Sequence, residues 1–127
     1  MTKSVISTKT APAAIGPYSQ GVTANGLTFF SGTLAIDPQT GDMVGDTAEA
    51  QTAQIMKNIA ALLDAAGLTM GDVVKTTVFL TDLNAFGKVN EVYGRFFPND
   101  PPARSCVQVA RLPKDALVEI ECIAVNR

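Results

Sequence analysis

The segment Pro102-Ala103-Arg104-Ser105-Cys106-Val107-Gln108-Val109-Ala110-Arg111-Leu112 constrains this chain most, because it sets a guanidinium inside a run that otherwise reads as a buried β-strand. Period-two alternation puts Arg104, Cys106 and Gln108 on one face and Ser105, Val107 and Val109 on the other. A charge inside a sheet costs several kcal/mol unless it is compensated, so the arginine needs a partner. Two kinds remain open: an internal carboxylate such as Glu119 or Glu121, or an anionic ligand. The planar fork of arginine fits a carboxylate bidentately, which makes a small carboxylic acid the first ligand to consider.

The rest of the strand pattern is short and Val- or Ile-rich. Strands are expected from about Ser4 to Ser7, Gly21 to Ala24, Leu27 to Ser31, Val73 to Leu80, Ala103 to Val109 and Leu117 to Val125. Asn25-Gly26 is a two-residue hairpin signal between the second and third, and Asp37-Pro38-Gln39-Thr40-Gly41 reads as a turn. The helical period appears twice. Ile55, Ile59, Leu62, Leu63 and Ala66 predict a helix over about Thr47 to Ala66 with Gly67 as its stop. Leu83, Phe86, Val89 or Asn90, Tyr93, Phe96 and Phe97 predict a second over about Leu83 to Phe97, with Asp82 as N-cap and Pro98 as terminator. The order β-β-β-α-β-α-β-β predicts an α+β fold with both helices on one face of a single sheet. At 127 residues, with no repeat or linker, residues 1–127 are expected to form one domain.

The sheet face away from the helices is unusual. On the fourth strand Val74, Thr76, Val78 and Leu80 make the more apolar side, leaving Lys75 and Thr77 with Val73 and Phe79 on the other. On the last strand Glu119 and Glu121 alternate with core positions and sit among Leu117, Ile123 and Val125. A face mixing ionisable and large apolar groups is too greasy for free exposure and too polar for a dry core, so self-association around it is expected.

Composition narrows the chemistry. Ten Lys and Arg stand against twelve Asp and Glu, with no basic run, so nucleic acid is not the expected partner. No segment approaches the length of a membrane span or a signal peptide's apolar core, so the protein is expected to be soluble and cytoplasmic. Histidine is absent, which removes Ser-His-Asp and Cys-His machinery. Cys106 and Cys122 in strand-like segments suit reduced, buried thiols and make a poor metal site. Catalysis would have to use carboxylates, tyrosine, arginine, backbone groups and water, without metal or cofactor. No charged side chain occurs between Thr10 and Ile36, and the stretch Ile15-Gly16-Pro17-Tyr18-Ser19-Gln20-Gly21 suits either a cover over a pocket or an ordinary loop. Glu119 is open to reading as a base or as an interface carboxylate, Asn90 as a site residue or a loop anchor, and Cys106 as a small core residue or a nucleophile.

With these residues in view, the chain resembles the RidA/YjgF family of enamine and imine deaminases. The matching stretches are Gly16-Pro17-Tyr18-Ser19-Gln20-Gly21, Ser31-Gly32, Ala65-Ala66-Gly67-Leu68, Val74-Lys75-Thr76-Thr77-Val78-Phe79-Leu80, Pro102 to Val107, Ala110-Arg111-Leu112-Pro113 and Val118-Glu119-Ile120-Glu121. The resemblance implies a chorismate-mutase-like α+β fold, a homotrimer with its sheets facing inward and three clefts between subunits. It implies hydrolysis of reactive 2-imino or 2-enamino acids, such as 2-iminopropanoate and 2-iminobutanoate, to 2-keto acids and ammonia. By that analogy Arg104 clamps the substrate carboxylate, Glu119 activates water and Tyr18 helps close the cleft, with Ser31, Asn90 and Cys106 near the ligand. Two other classes stay in view: an endoribonuclease or translation-inhibitor activity, and a non-catalytic trimer that binds small carboxylates.

Overall fold

The computed structural model describes residues 2–126, and every strand and helix expected from the sequence is present. Strands β1 (Ser4–Ile6), β2 (Gly21–Ala24) and β3 (Leu27–Thr33) precede helix α1 (Ala48–Ala65). Strand β4 (Val73–Leu80), helix α2 (Phe86–Gly94), β5 (Ala103–Gln108) and β6 (Val118–Val125) follow. They form one six-stranded mixed sheet in the order β1-β2-β3-β6-β4-β5. Only β4 and β5 run parallel, because α2 carries the chain back between them. The β2–β3 hairpin turns on Asn25 and Gly26, both at positive φ, the backbone that an Asn-Gly pair adopts at low cost.

Helix α1 starts where Thr47 accepts from the Ala50 N–H at 3.2 Å. Its apolar stripe, Ile55, Ile59, Leu62 and Leu63, packs on Val78, Leu80, Val118 and Ile120 of the sheet. Two buried amides on α1 tie the helix to backbone groups of the segments that flank the sheet strands. The Asn58 amide donates to the Leu34 and Ile36 carbonyls at 3.0 and 2.9 Å. Gln51 accepts from the Leu117 N–H at 2.9 Å and donates to the Gly45 carbonyl at 3.1 Å.

Four expectations are corrected. The first is that β5 is a sheet edge, half-exposed rather than buried, because it pairs only with β4. The apolar side of β4 is Val73, Thr76, Val78 and Leu80, with Val74 turned outward. Between Val73↔Ala124 and Lys75↔Ile123 strand β4 holds one extra residue, and that bulge flips the alternation. Strand β3 continues past Ser31 to Thr33 through a second bulge. The second helix is shorter than its stripe: Asp82 caps a 3-10 turn at Leu83–Ala85, α2 occupies only Phe86–Gly94, and the next backbone donors bond three residues back. The free thiols stay apart: Cys106 on β5 and Cys122 on β6 flank β4, and strands two apart lie about 9–10 Å from each other, beyond disulfide reach.

Candidate active site

Arg104 projects from the edge strand toward α2. Its Nη1 donates to the Asn90 side-chain oxygen at 2.7 Å, and its guanidinium carbon lies 4.9 Å from the Tyr93 ring centre and 5.5 Å from that of Phe86. Among the described residues it makes no ion pair. The internal-carboxylate reading is therefore set aside: what holds the arginine is a neutral amide and two aromatic rings, and Glu119 and Glu121 face the other way. Asn90 is not a loop anchor but the arginine's hydrogen-bond partner. Cys106 shares the Arg104 face two positions along and is partly covered; burial raises its thiol pKa, with the Arg104 charge pulling in the opposite direction.

Glu119 belongs to a second group of residues on the opposite face. Val118 and Ile120 enter the core beneath the helices, so the alternation of β6 turns Glu119 and Glu121 to the helix-free side. There Glu119 lines a cavity of about 410 Å³ together with Tyr18, Gln20, Ser31, Gly32 and Glu121. The bulge in β3 creates this arrangement. Phe30 opposes Cys122 and Thr33 opposes Ile120, so Ser31 and Gly32 occupy the space of a single residue. The Glu119 carboxylate lies directly over Gly32, and a Cβ there would collide with it, approaching its Cδ to 2.8 Å. Burial raises the Glu119 pKa above the ordinary carboxylate range, and the neighbouring Glu121 charge raises it further.

The uncharged loop covers this cavity and is tied down by side chains. Gln20 donates to the carbonyls of Thr8 and Pro12 at 3.1 and 2.7 Å and accepts from the Thr8 N–H at 2.7 Å. Ser31 donates to the Ser19 carbonyl at 2.7 Å, joining the loop to the bulge. The Tyr18 hydroxyl accepts from the Ile15 N–H at 3.1 Å, which folds the exposed ring back over its own loop.

The expected residues thus fall into two groups that one chain does not bring together. Arg104, Asn90 and Cys106 lie on the helix side of β5, while Tyr18, Ser31 and Glu119 lie around the cavity on the other face. Sequence reasoning missed Phe86 and Tyr93, which it assigned to a core stripe, and Gly32 and Gln20. The glycine's signal was its place after Ser31 in a strand, where an isolated glycine marks a bulge or a close approach.

The model of the family described as Endoribonuclease L-PSP matches residues 8–126. The chain belongs to that family. Within the L-PSP family, a protein of Escherichia coli strain K12 named 2-iminobutanoate/2-iminopropanoate deaminase is 53% identical over 125 residues, with 96% of this chain and 97% of that one covered. Reactive Intermediate Deaminase A, chloroplastic, of Arabidopsis thaliana is 52% identical over 122 residues, covering 96% of this chain and 65% of that one. The crystal structure of Escherichia coli TdcF with bound serine matches with a TM-score of 0.92 at 50% identity, over 98% of this chain and 99% of that one. That of the Escherichia coli YjgF gene product matches with 0.91 at 51%, over the same shares. The RidA/YjgF resemblance read in the sequence is therefore a family relationship.

Proposed function

We propose that this L-PSP family protein hydrolyses 2-imino acids and their 2-enamino tautomers to 2-keto acids and ammonia, with 2-iminopropanoate and 2-iminobutanoate as substrates. The observation that carries the reading is Arg104, a guanidinium held by neutral groups with donors left over and no carboxylate of its own. A substrate carboxylate supplies the missing charge. Support comes from relatives named for these two imino acids and from a relative whose structure holds serine, an amino acid with the same carboxylate. The net charge of −2 and the lack of basic runs weigh against an RNA substrate, although the family's description carries the endoribonuclease name. Among the described residues no helix is long and apolar enough to cross a membrane; a cytoplasmic location is part of this proposal.

The two groups of residues become one site if the protein is a homotrimer with clefts between subunits. Arg104, Asn90 and Cys106 of one subunit would then face Tyr18, Ser31 and Glu119 of the next. The helix-free sheet face, where Phe29 and Val125 are exposed beside Glu121, is the surface that such an assembly covers. In this arrangement Arg104 clamps the carboxylate and presents a protonated imine, already electrophilic, to a water on Glu119. Glu119 takes a proton as the water oxygen bonds to the imine carbon and the C=N electron pair moves to nitrogen. It returns that proton to nitrogen, and as the C–N bond breaks Glu119 takes the hydroxyl proton, so that the hydroxyl becomes the keto group; ammonia leaves and carries this proton away as ammonium. Its raised pKa makes it a stronger base for the first step. Tyr18 covers the cleft, and Ser31 ties the covering loop to the β3 bulge through the Ser19 carbonyl.

Direct observation of imine decay in a threonine dehydratase reaction, with and without the purified protein, tests the activity; an unchanged decay rate refutes it. Complementation tests the shared site. Arg104→Ala and Glu119→Gln are each expected to be nearly inactive, but co-refolded subunits combine an intact arginine with an intact carboxylate at some interfaces. Random trimers recover about a quarter of wild-type activity. No recovery, with trimers present by sedimentation, would place the site within one subunit.

A further inference from the structure

We infer that Phe86 and Tyr93 are positioning residues of the carboxylate site: with Asn90 between them they form a neutral, three-sided cradle that sets the direction in which the Arg104 fork opens. The inference deepens the reading above and rests on Arg104 receiving a carboxylate. Residues 86, 90 and 93 recur at four- and three-residue spacing, so they share one face of α2, and that face meets the edge strand. The amide oxygen of Asn90 takes one guanidinium N–H, and the rings at 4.9 and 5.5 Å take contact from its carbon. None of these partners carries charge. The cation is thus oriented without being neutralised, and the donors that Asn90 does not use stay open to an incoming anion.

The inner ring is built not to move. Tyr93 is 6% exposed, its hydroxyl shares a 2.7 Å hydrogen bond with Thr76, and its ring centre lies 5.0 Å from that of Phe97. Thr76 is the register partner of Arg104 on β4, so the ring is anchored to the strand pair that carries the arginine. Phe86 is 39% exposed and has no such anchor. A large aromatic residue left 39% exposed one turn before Asn90 is poorly explained by core packing alone, and its contact with Arg104 gives it a task.

The test compares Phe86→Leu with Phe86→Tyr, reading binding of 2-oxobutanoate and of its methyl ester by calorimetry alongside KM and kcat for the imine. If the cradle holds the fork, Phe86→Leu weakens 2-oxobutanoate about threefold to thirtyfold, the range of a cation–π contact between exposed and desolvated limits. The ester, which offers no carboxylate, loses far less; KM rises more than kcat falls; and Phe86→Tyr recovers most of the difference. Tyr93→Phe, which keeps the ring but frees it from Thr76, shifts the acid-to-ester ratio in the same direction by a smaller factor. Equal loss for acid and ester, or no loss for the acid, overturns the inference, as does a wild-type protein that binds no 2-oxobutanoate. A wild-type protein that binds 2-oxobutanoate but leaves the imine untouched sinks the deaminase reading and spares the cradle.

Discussion

The two charged groups of the candidate site are held in opposite ways. Arg104 stands on an edge strand, gripped by an amide and two rings, and none of its neighbours competes for its charge. Glu119 stands on an inner strand, pressed over Gly32 and beside a second carboxylate, in surroundings that disfavour its charge. The difference matches what each would be asked to do. A binding group works best when its charge is present and its direction fixed, whereas a base works best when ionisation is made costly, so that taking a proton is favourable.

The largest effect is expected at the base. Glu119→Gln keeps the shape but cannot accept a proton, and kcat is expected to fall about 10²–10⁴-fold while 2-oxobutanoate still binds. In the wild type, kcat/KM falls as pH drops through the raised Glu119 pKa; in the variant that limb disappears. Stability moves the other way. Because the folded pKa lies above the unfolded one, the folded state binds more protons, so Glu119's contribution is fully present below the unfolded pKa and is lost as pH rises through the folded value. Glu119→Gln therefore raises Tm at neutral pH. A variant both inactive and less stable would show that the carboxylate is structural.

Arg104→Ala comes next, at about 2–5 kcal/mol in kcat/KM, the loss seen when one partner of a hydrogen-bonded charge pair is removed. Arg104→Lys keeps the charge but cannot use the Asn90 contact and the open fork together, so it is also expected to be badly impaired. Steady-state rates with a short and a longer imino acid check this. Wild-type kcat/KM in Arg104→Lys would mean that charge alone suffices and that the cradle's geometry does not matter.

Much of this contrast was legible in the sequence, but not its sidedness. The bounds of β2 and β4, the Asn25-Gly26 hairpin and the Thr47 start of α1 followed from local pattern, because alternation, turn chemistry and capping are local effects. Arg104 stood out because a charge in a strand is costly wherever the strand lies. What failed was whatever depends on strand order and on bulges. No local signal makes β5 an edge, and the single extra residues at Val74 and at Ser31-Gly32 invert alternation beyond them. Phe86 and Tyr93 lay on the helical stripe, where periodicity cannot separate a ring that packs the core from one that faces a cation. Of the two partners left open for Arg104, the internal Glu119 or Glu121 is excluded because one chain turns them to opposite faces.

Gly32 tests the support beneath the base with a smaller change. A methyl group there collides with the Glu119 carboxylate, the far end of a flexible side chain, which swings away more readily than Gly32 can retreat between the paired Phe30 and Thr33. Gly32→Ala is expected to lower kcat about 10–100-fold, as a displacement near 1 Å does in an aligned site, and to lower the Glu119 pKa as its carboxylate moves into water. The acid limb of the pH profile shifts to lower pH accordingly. A slower enzyme with an unmoved limb would assign the loss to the loop or the fold rather than to the carboxylate.

The smallest effect belongs to Cys106, whose place beside Arg104 invites a covalent role. Two positions along the same strand face, its thiol is near enough to a bound carboxylate to suggest a nucleophile. Its pKa argues otherwise. Burial raises it and the nearby guanidinium only partly opposes that, so the thiol is neutral at physiological pH, and the chain holds no histidine to take its proton. A water activated by Glu119 needs no help from it. Cys106→Ala is therefore expected to change kcat/KM by less than about fivefold, a loss limited to packing around a half-covered side chain, and Cys106→Ser by less still. Substitution is a cleaner probe than alkylation, since a bulky adduct would block the cleft whatever the mechanism. A loss in Cys106→Ala as large as that in Arg104→Ala, with assembly intact by sedimentation, would move the chemistry from water attack to a covalent intermediate on the arginine's side of the sheet.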